Sequence, residues 1–234
     1  MPEKAMPRHV GIIMDGNGRW ASARGLSRKF GHKRGADMFG KVARHAAKKG
    51  IGHLTVYAFS TENWKRPPEE VESIMGLLRE YLSDAEKHTD NMRVIILGER
   101  DALDDDIRER MADMERRSKN NTGMTLNIAV NYGGRAEILH AAKTLAKDYL
   151  TGGVKSIDDF AEDDFSALMY TAGQPDVDLI IRTSGEMRTS NFLLWQSAYA
   201  EYVFTDVLWP DFTPAHFDAA IEEYTQRGRR MGGI

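Results

Sequence analysis

The chain has no cysteine among its 234 residues. Disulfide frameworks, thiolate metal sites and thiol nucleophiles are excluded, and a reducing compartment is compatible with the composition. An excess of positive charge is also missing, since 32 Lys and Arg against 35 Asp and Glu give a formal net charge of -3. A general nucleic-acid binder presents an overall basic face, so no nucleic-acid partner is expected and any anion binding must be local. No stretch approaches the roughly 18 to 20 apolar residues of a membrane helix, and the opening "MPEKAMPRH" lacks the apolar core of a signal peptide. A soluble, cytoplasmic protein is therefore expected. Internal repeats, low-complexity tracts and domain linkers are absent as well, while 41% hydrophobic residues suffice for a full core. One domain over residues 1–234 is expected, with 1–8 flexible.

What the chain does contain is an alternation. Short apolar runs bounded by turn residues read as buried strands: "HVGIIM" (9–14), "HLTVYAF" (53–59), "RVIILG" (93–98), "TLNIAVNY" (125–132) and "DLIIRT" (178–183). Between them, Phe39, Val42, Ala43 and Ala46 recur at helical spacing in 36–49. Val71, Ile74, Met75, Leu78, Tyr81, Leu82 and Ala85 do the same in 71–85, a stripe that periodicity alone assigns to a core face. Segments 104–118, 136–150 and 215–227 are further helices. Strands apolar on both faces, alternating with helices, predict the α/β class: a single domain with a mostly parallel central sheet flanked by helices.

In such sheets ligands sit at the carboxyl ends of the strands. The polar clusters fall there. Asp15, Gly16, Asn17, Gly18, Arg19 and Trp20 follow the first strand, and Ser60, Thr61, Glu62, Asn63, Trp64, Lys65 and Arg66 follow the second. Asn131, Gly133, Gly134 and Arg135 follow the fourth; Arg182, Thr183, Ser184, Gly185, Glu186, Arg188, Thr189 and Ser190 follow the fifth. Glycine lets backbone N–H groups approach an anion, and arginine offers a planar fork to its oxygens, so one rim of such loops suits phosphates. Singly, each cluster also reads as a plain turn or loop; their shared position at strand ends favours a site. The nearest nucleotide motifs are not met: no G-x-x-x-x-G-K-[ST] occurs, and Gly16-Asn17-Gly18 lacks the third glycine of a dinucleotide fingerprint.

The longer motifs "MDGNGRWA" (14–21), "FGHKRG" (30–35), "YAFSTENWKRP" (57–67), "NIAVNYGGR" (127–135), "DLIIRTSGEMRTSNFLLWQSAYAEYVFTDVLWPDF" (178–212) and "RRMGG" (229–233) resemble the cis-prenyltransferase family, its bacterial undecaprenyl diphosphate synthase branch above all. The resemblance runs from about residue 8 to the end of the sequence. It implies a homodimeric, Mg²⁺-dependent enzyme that condenses isopentenyl diphosphate sequentially onto an allylic diphosphate such as farnesyl diphosphate. The product it implies is a polyprenyl diphosphate, typically the C55 lipid carrier for cell-wall glycans; shorter-chain synthases share the motifs. An apolar tunnel between sheet and helices would hold the growing chain, and a transient membrane contact would serve product release.

Carried over residue by residue, the resemblance makes Asp15 a catalytic residue and, with Glu201, a metal ligand. Gly16, Asn17, Gly18, Arg19, Arg28 and His32 would cradle the allylic diphosphate and Trp20 would wall the prenyl chain. Ser60, Thr61, Glu62, Trp64 and Arg66 match substrate contacts, and Asn63 matches the position linked to proton removal. An amide is a poor base, so Asn63 reads as an orienting hydrogen-bond partner. Arg182, Arg188, Thr189 and Ser190 match the isopentenyl diphosphate site. Arg230-Met231-Gly232 resembles a tail that reaches into a partner's site. Thr61 and Thr189 depart from the commoner residues without removing a charge.

Two other classes fit part of the sequence. "DDIRE" (105–109) and "DDFAED" (158–163) offer the paired carboxylates of an all-helical trans-prenyltransferase or terpene synthase, but both stand where a helix starts, and acidic residues there complement the helix dipole. A non-catalytic partner subunit would have lost catalytic motifs. This chain keeps Asp15, Asn63, Arg66, Arg182, Arg188 and Ser190.

Overall fold

Each expected apolar run becomes a strand in the computed structural model, which describes residues 6–83, 90–153 and 156–227. They are β1 (His9–Ile13), β2 (His53–Ser60), β3 (Arg93–Leu97), β4 (Thr125–Tyr132) and β5 (Leu179–Arg182). A sixth strand, β6 (Glu201–Phe204), completes a sheet of order β3-β4-β2-β1-β5-β6, parallel throughout. β1 and β5 are buried at every position, as strands covered on both faces must be. β6 is four residues long and begins on a carboxylate, too short to leave a periodic signal.

The helices are α1 (Asn17–Ser22), α2 (Arg28–Lys48), α3 (Pro68–Ser83), α4 (Asp105–Ser118), α5 (Gly134–Leu150), α6 (Glu162–Ser166) and α7 (Pro214–Gln226). α2 starts eight residues before the expected segment because Gly31 and Gly35, which look like helix breakers, are where α1 packs. A Cβ on Gly31 would lie 2.1 Å from the Asn17 carbonyl oxygen, and one on Gly35 would lie 2.2 Å from Asn17 Oδ1. Two glycines one helical turn apart thus let the helices touch.

One core lies between the sheet and α2, α3, α4 and α7, with Ile12, Val56, Phe39, Leu78, Met111 and Phe217 among its members. A second joins Ile13, Leu97, Ala129 and Ile180 to Phe192 and Leu193. Met75, Leu78 and Leu82 of the α3 stripe belong to the first core, and Tyr81 packs on Phe39 with ring centroids 5.1 Å apart. The expected apolar tunnel is not shown: the described part of the stripe is packed side chain against side chain. Ala85, Arg230-Met231-Gly232 and residues 1–5 lie outside the described residues. From Arg8 onward the chain is tied down, with the Arg8 N–H donating to Asp178 Oδ2 at 2.8 Å. Among the described residues no helix is long and apolar enough to cross a membrane.

The acidic pairs behave as helix starts. Asp105 and Asp106 open α4, where Asp106 accepts from Arg79 Nε at 2.7 Å, and Glu162 and Asp163 open α6. The six-stranded sheet leaves no room for the all-helical alternative. From β1 the chain moves to β2 on one side and later returns to β5 on the other, so a crevice opens at the carboxyl ends of β1 and β5.

Candidate active site

The register that pairs Ile13 with Arg182 places the residues after β1 against the end of β5. Arg182 Nη2 donates to Asp15 Oδ2 at 2.9 Å, and Arg182 Nη1 donates to Ser190 Oγ at 2.6 Å. Arg182 is 3% exposed, and its Nε finds no partner among the described residues. Asp15 is held from behind as well: Thr183 Oγ1 accepts the Asp15 N–H at 2.9 Å and donates to the Asp15 carbonyl at 2.7 Å. The Gly16 N–H donates to Asp15 Oδ1 at 2.7 Å. Gly16 has φ 103°, a left-handed value that a side chain would strain, and a Cβ there would lie 2.8 Å from Leu208. Burial pushes the Asp15 carboxyl up, but Arg182, the Gly16 N–H and Arg19 outweigh it and hold the pKa below the ordinary value. The group is a carboxylate at neutral pH.

Arginines converge on it from both sides. Arg19 Nη1 donates to the Ser184 carbonyl at 3.1 Å, and its Nη2 lies 3.3 Å from Glu186, which also pairs with Arg188. Across the cleft, Glu70 in the first turn of α3 accepts from Arg28 Nη1 at 2.7 Å and from Arg66 Nη1 at 2.9 Å. His32 Nε2 stands 3.6 Å from the same carboxylate, too far for a hydrogen bond. Burial lowers the His32 pKa against the pull of Glu70, so the ring is neutral at pH 7. Burial would raise Glu70, yet Arg66 and Arg28 lower it further.

The loop after β2 is a single 3-10 turn, Thr61–Lys65. The Ser60 N–H donates to Asn63 Oδ1 at 3.0 Å, so the amide oxygen is committed and the NH₂ is the end left for a ligand. Trp64 Nε1 donates to Asn131 Oδ1 at 2.7 Å, with its ring edge-on to Phe59. Asn191 Nδ2 donates to Glu62 Oε1 at 2.9 Å, and Asn191 Oδ1 accepts the Arg135 N–H at 2.9 Å. Asn191 therefore ties the second loop to the start of α5.

These groups line one cleft of about 920 Å³. Of the expected site residues, Asp15, Gly16, Asn17, Gly18, Arg19, Arg28, His32, Ser60, Glu62, Asn63, Arg66, Arg182, Arg188 and Ser190 line it. Trp20, Thr61, Trp64 and Thr189 do not. Trp20 is buried beneath the Arg24 guanidinium, 4.3 Å from the ring centroid. Thr61 Oγ1 donates to Glu62 Oε2, and the Thr189 carbonyl accepts the Phe192 N–H. Sequence reasoning missed Tyr57, Glu70 and Asn191 as lining residues. For Glu70 a signal existed, since it lies one helical turn after Arg66 across Pro67 and Pro68.

Glu201 is not brought to Asp15 within one chain. It opens β6 opposite Leu179, three registers before the Arg182–Phe204 pair, hence about 10 Å from the rim along the strand. There it accepts from Arg227 Nη1 at 2.8 Å. Among the described residues no group of three or more metal-ligating side chains occurs. Asp15, with a side chain 33% exposed, still fits Mg²⁺, which commonly takes one or two carboxylates and completes its shell with phosphate oxygens and water.

Comparison with known proteins agrees with this architecture. A family model described as "Putative undecaprenyl diphosphate synthase" matches residues 13–232. An isoprenyl transferase of Brucella suis is 50% identical over 97% of this chain and 90% of its own length. One from Fusobacterium nucleatum is 48% identical over 99% and 98%. Among solved structures, lavandulyl diphosphate synthase from Lavandula x intermedia, in complex with dimethylallyl diphosphate, superposes with TM-score 0.94 at 33% identity, covering 98% of this chain and all of that one. A probable undecaprenyl diphosphate synthase from Campylobacter jejuni gives 0.80 at 31%, covering 99% and 100%. The chain belongs to the undecaprenyl diphosphate synthase family of cis-prenyltransferases and is an isoprenyl transferase.

Proposed function

We propose that the protein condenses isopentenyl diphosphate repeatedly onto an allylic diphosphate, farnesyl diphosphate first, and that its product is a long polyprenyl diphosphate, the C55 lipid carrier of cell-wall glycan synthesis. The observation that carries this reading is one cleft lined by Arg19, Arg28, Arg66, Arg182 and Arg188 around the Asp15 carboxylate, to which Arg182 is bonded. Two diphosphates call for that many cations. Asp15, the Gly16–Arg19 turn, Arg28 and His32 hold the allylic diphosphate; Arg182, Arg188 and Ser190 hold isopentenyl diphosphate. Ser60, Glu62 and Arg66 close the second loop over them.

In the reaction the allylic C–O bond breaks and diphosphate leaves with the electron pair. The terminal double bond of isopentenyl diphosphate attacks the allylic carbon, and a proton is lost to restore an internal cis double bond. Mg²⁺ held at Asp15 would neutralise charge on the leaving diphosphate. The chain's own part is to aim donors at that charge before it develops. Asn63 presents an NH₂, a donor, which suits orienting a phosphate oxygen or water and not taking the proton.

The active form is a homodimer in this reading. Leu139, Met187 and Tyr199 are among the exposed large apolar side chains outside the cleft, the kind of surface that association of two copies removes from water. Light scattering tests this. A second reading, a shorter product, is favoured by the filled α3 stripe, from which Ile74 alone among the described residues reaches the cleft. Incubating pure protein with farnesyl diphosphate, radiolabelled isopentenyl diphosphate and Mg²⁺, then sizing the products, decides between them. No elongation at all would overturn the substrate assignment.

A further inference from the structure

Between Gly16 and Ala36 the chain has no carboxylate, yet it carries Arg19, Arg24, Arg28, Lys29, Lys33 and Arg34 in a protein of net charge -3. The first three are engaged, with Glu186, Asp211 and Glu70 respectively. Lys29, Lys33 and Arg34 have no carboxylate within ion-pair reach among the described residues. Every position from Ser22 to Phe30 is exposed, including two large apolar side chains, Leu26 at 39% and Phe30 at 55%.

At 100° per residue, Lys29, Phe30 and Lys33 fall on one side of α2, and the exposed Leu26 stands just before its start. The buried residues Gly31, Gly35, Met38 and Val42 fall on the opposite side, against α1 and the sheet. Among the described residues nothing covers this exposed face. It adjoins the mouth of the cleft, since Ser22, Arg28 and His32 of the same stretch line that cleft.

We infer that this face, Leu26, Lys29, Phe30 and Lys33 with Arg34 at its edge, docks the protein on an anionic membrane surface and sets the mouth of the cleft at the bilayer. Two apolar side chains bracketed by lysines match the boundary where acyl chains meet negative headgroups. The face's place beside the cleft mouth, from which the proposed product would carry out a long apolar chain, favours lipid over an acidic protein as the occupant. The binding is weak and reversible: each lysine near such a surface contributes about fivefold in affinity. The inference rests on the substrate reading above in one respect, that a prenyl diphosphate product has reason to leave the cleft into lipid.

The test is co-sedimentation of the full chain with phosphatidylcholine vesicles, with and without phosphatidylglycerol, alongside turnover in vesicle-free solution. Wild-type protein should bind the anionic vesicles at least about tenfold more tightly than the neutral ones. Lys29→Glu with Lys33→Glu should abolish that preference, and Leu26→Ser with Phe30→Ser should weaken anionic binding by about tenfold. Both pairs should keep wild-type turnover and melting temperature, because these side chains are exposed and do not line the cleft. Wild-type protein that binds neither vesicle, or double variants that sediment as wild type does, would overturn the docking surface. Failure of wild-type turnover with farnesyl diphosphate would remove the substrate reading alone, with the vesicle arm still deciding the surface.

Discussion

Arg182, at the last position of β5, donates to the Asp15 carboxylate across 2.9 Å, and 167 residues of chain separate the two. The guanidinium is almost wholly buried while the carboxylate is a third exposed, so the pair presents an anionic edge to the cleft on a cationic support. Asp15→Ala should reduce turnover by about 10²-fold or more in steady-state assay. It should also cost about 1 to 3 kcal/mol in thermal unfolding, because it strands a buried arginine. Near-wild-type turnover in folded protein would dismiss the catalytic role.

Arg188 and Ser190 both line the cleft, and in the proposed function they hold isopentenyl diphosphate. Arg188→Ala should raise the KM for isopentenyl diphosphate and leave that for the allylic substrate near its wild-type value. An effect on the allylic substrate alone would mean the two sites are assigned backwards.

Glu70 gathers Arg28 and Arg66, two cations from different elements that would otherwise repel each other. Glu70→Ala should raise the allylic KM about tenfold, with Glu70→Gln intermediate and kcat less affected, on the scale of a lost charged hydrogen bond. Fewer folded molecules would instead lower kcat at constant KM. An unchanged or lower allylic KM would show that Glu70 competes with the diphosphate and does not position its ligands.

Leu78 lies in the packed face of α3 and is 9% exposed. If growing chains open a tunnel there, Leu78→Trp should shorten the products with little change in the first condensation. If the face stays solid, the same change should overpack it, costing roughly 1 to 3 kcal/mol with product sizes unaltered. Melting temperature and product sizing on one preparation separate the two.

His9 is fully buried, with Nδ1 2.8 Å from the Pro175 carbonyl and Nε2 2.7 Å from Thr55 Oγ1. Burial lowers its pKa from 6.5 to about 4, partly offset by the Pro175 bond. The unfolded chain binds the extra proton first, so stability should fall as pH drops from 6.5 towards 4, by on the order of 3 kcal/mol. Above 6.5 this contribution is flat. Denaturant titrations of wild type and His9→Gln should differ in slope across that window, and parallel curves would exclude His9 as the cause.

Strands β1 to β5 and the helices from α2 to α5 and α7 were legible because burial on both faces of a parallel sheet leaves short apolar runs, and one-sided burial of a helix leaves a period of 3.6. The rim was legible because arginines and glycines gather after those runs. Local pattern stops where a residue's role depends on what another segment brings to it. Gly31 and Gly35 look like breakers until Asn17 packs on them. Glu70 is an ordinary first-turn acid until Arg28 arrives from α2. Glu201 reads as a metal ligand by motif, and only the parallel register of β6 puts it at the far end of its strand, on Arg227. Which side chains face an apolar stripe is likewise beyond periodicity, and it takes three dimensions to bring Phe39 of α2 against Tyr81 of α3. Periodicity records that a face is hidden from water. The tertiary structure alone decides what hides it.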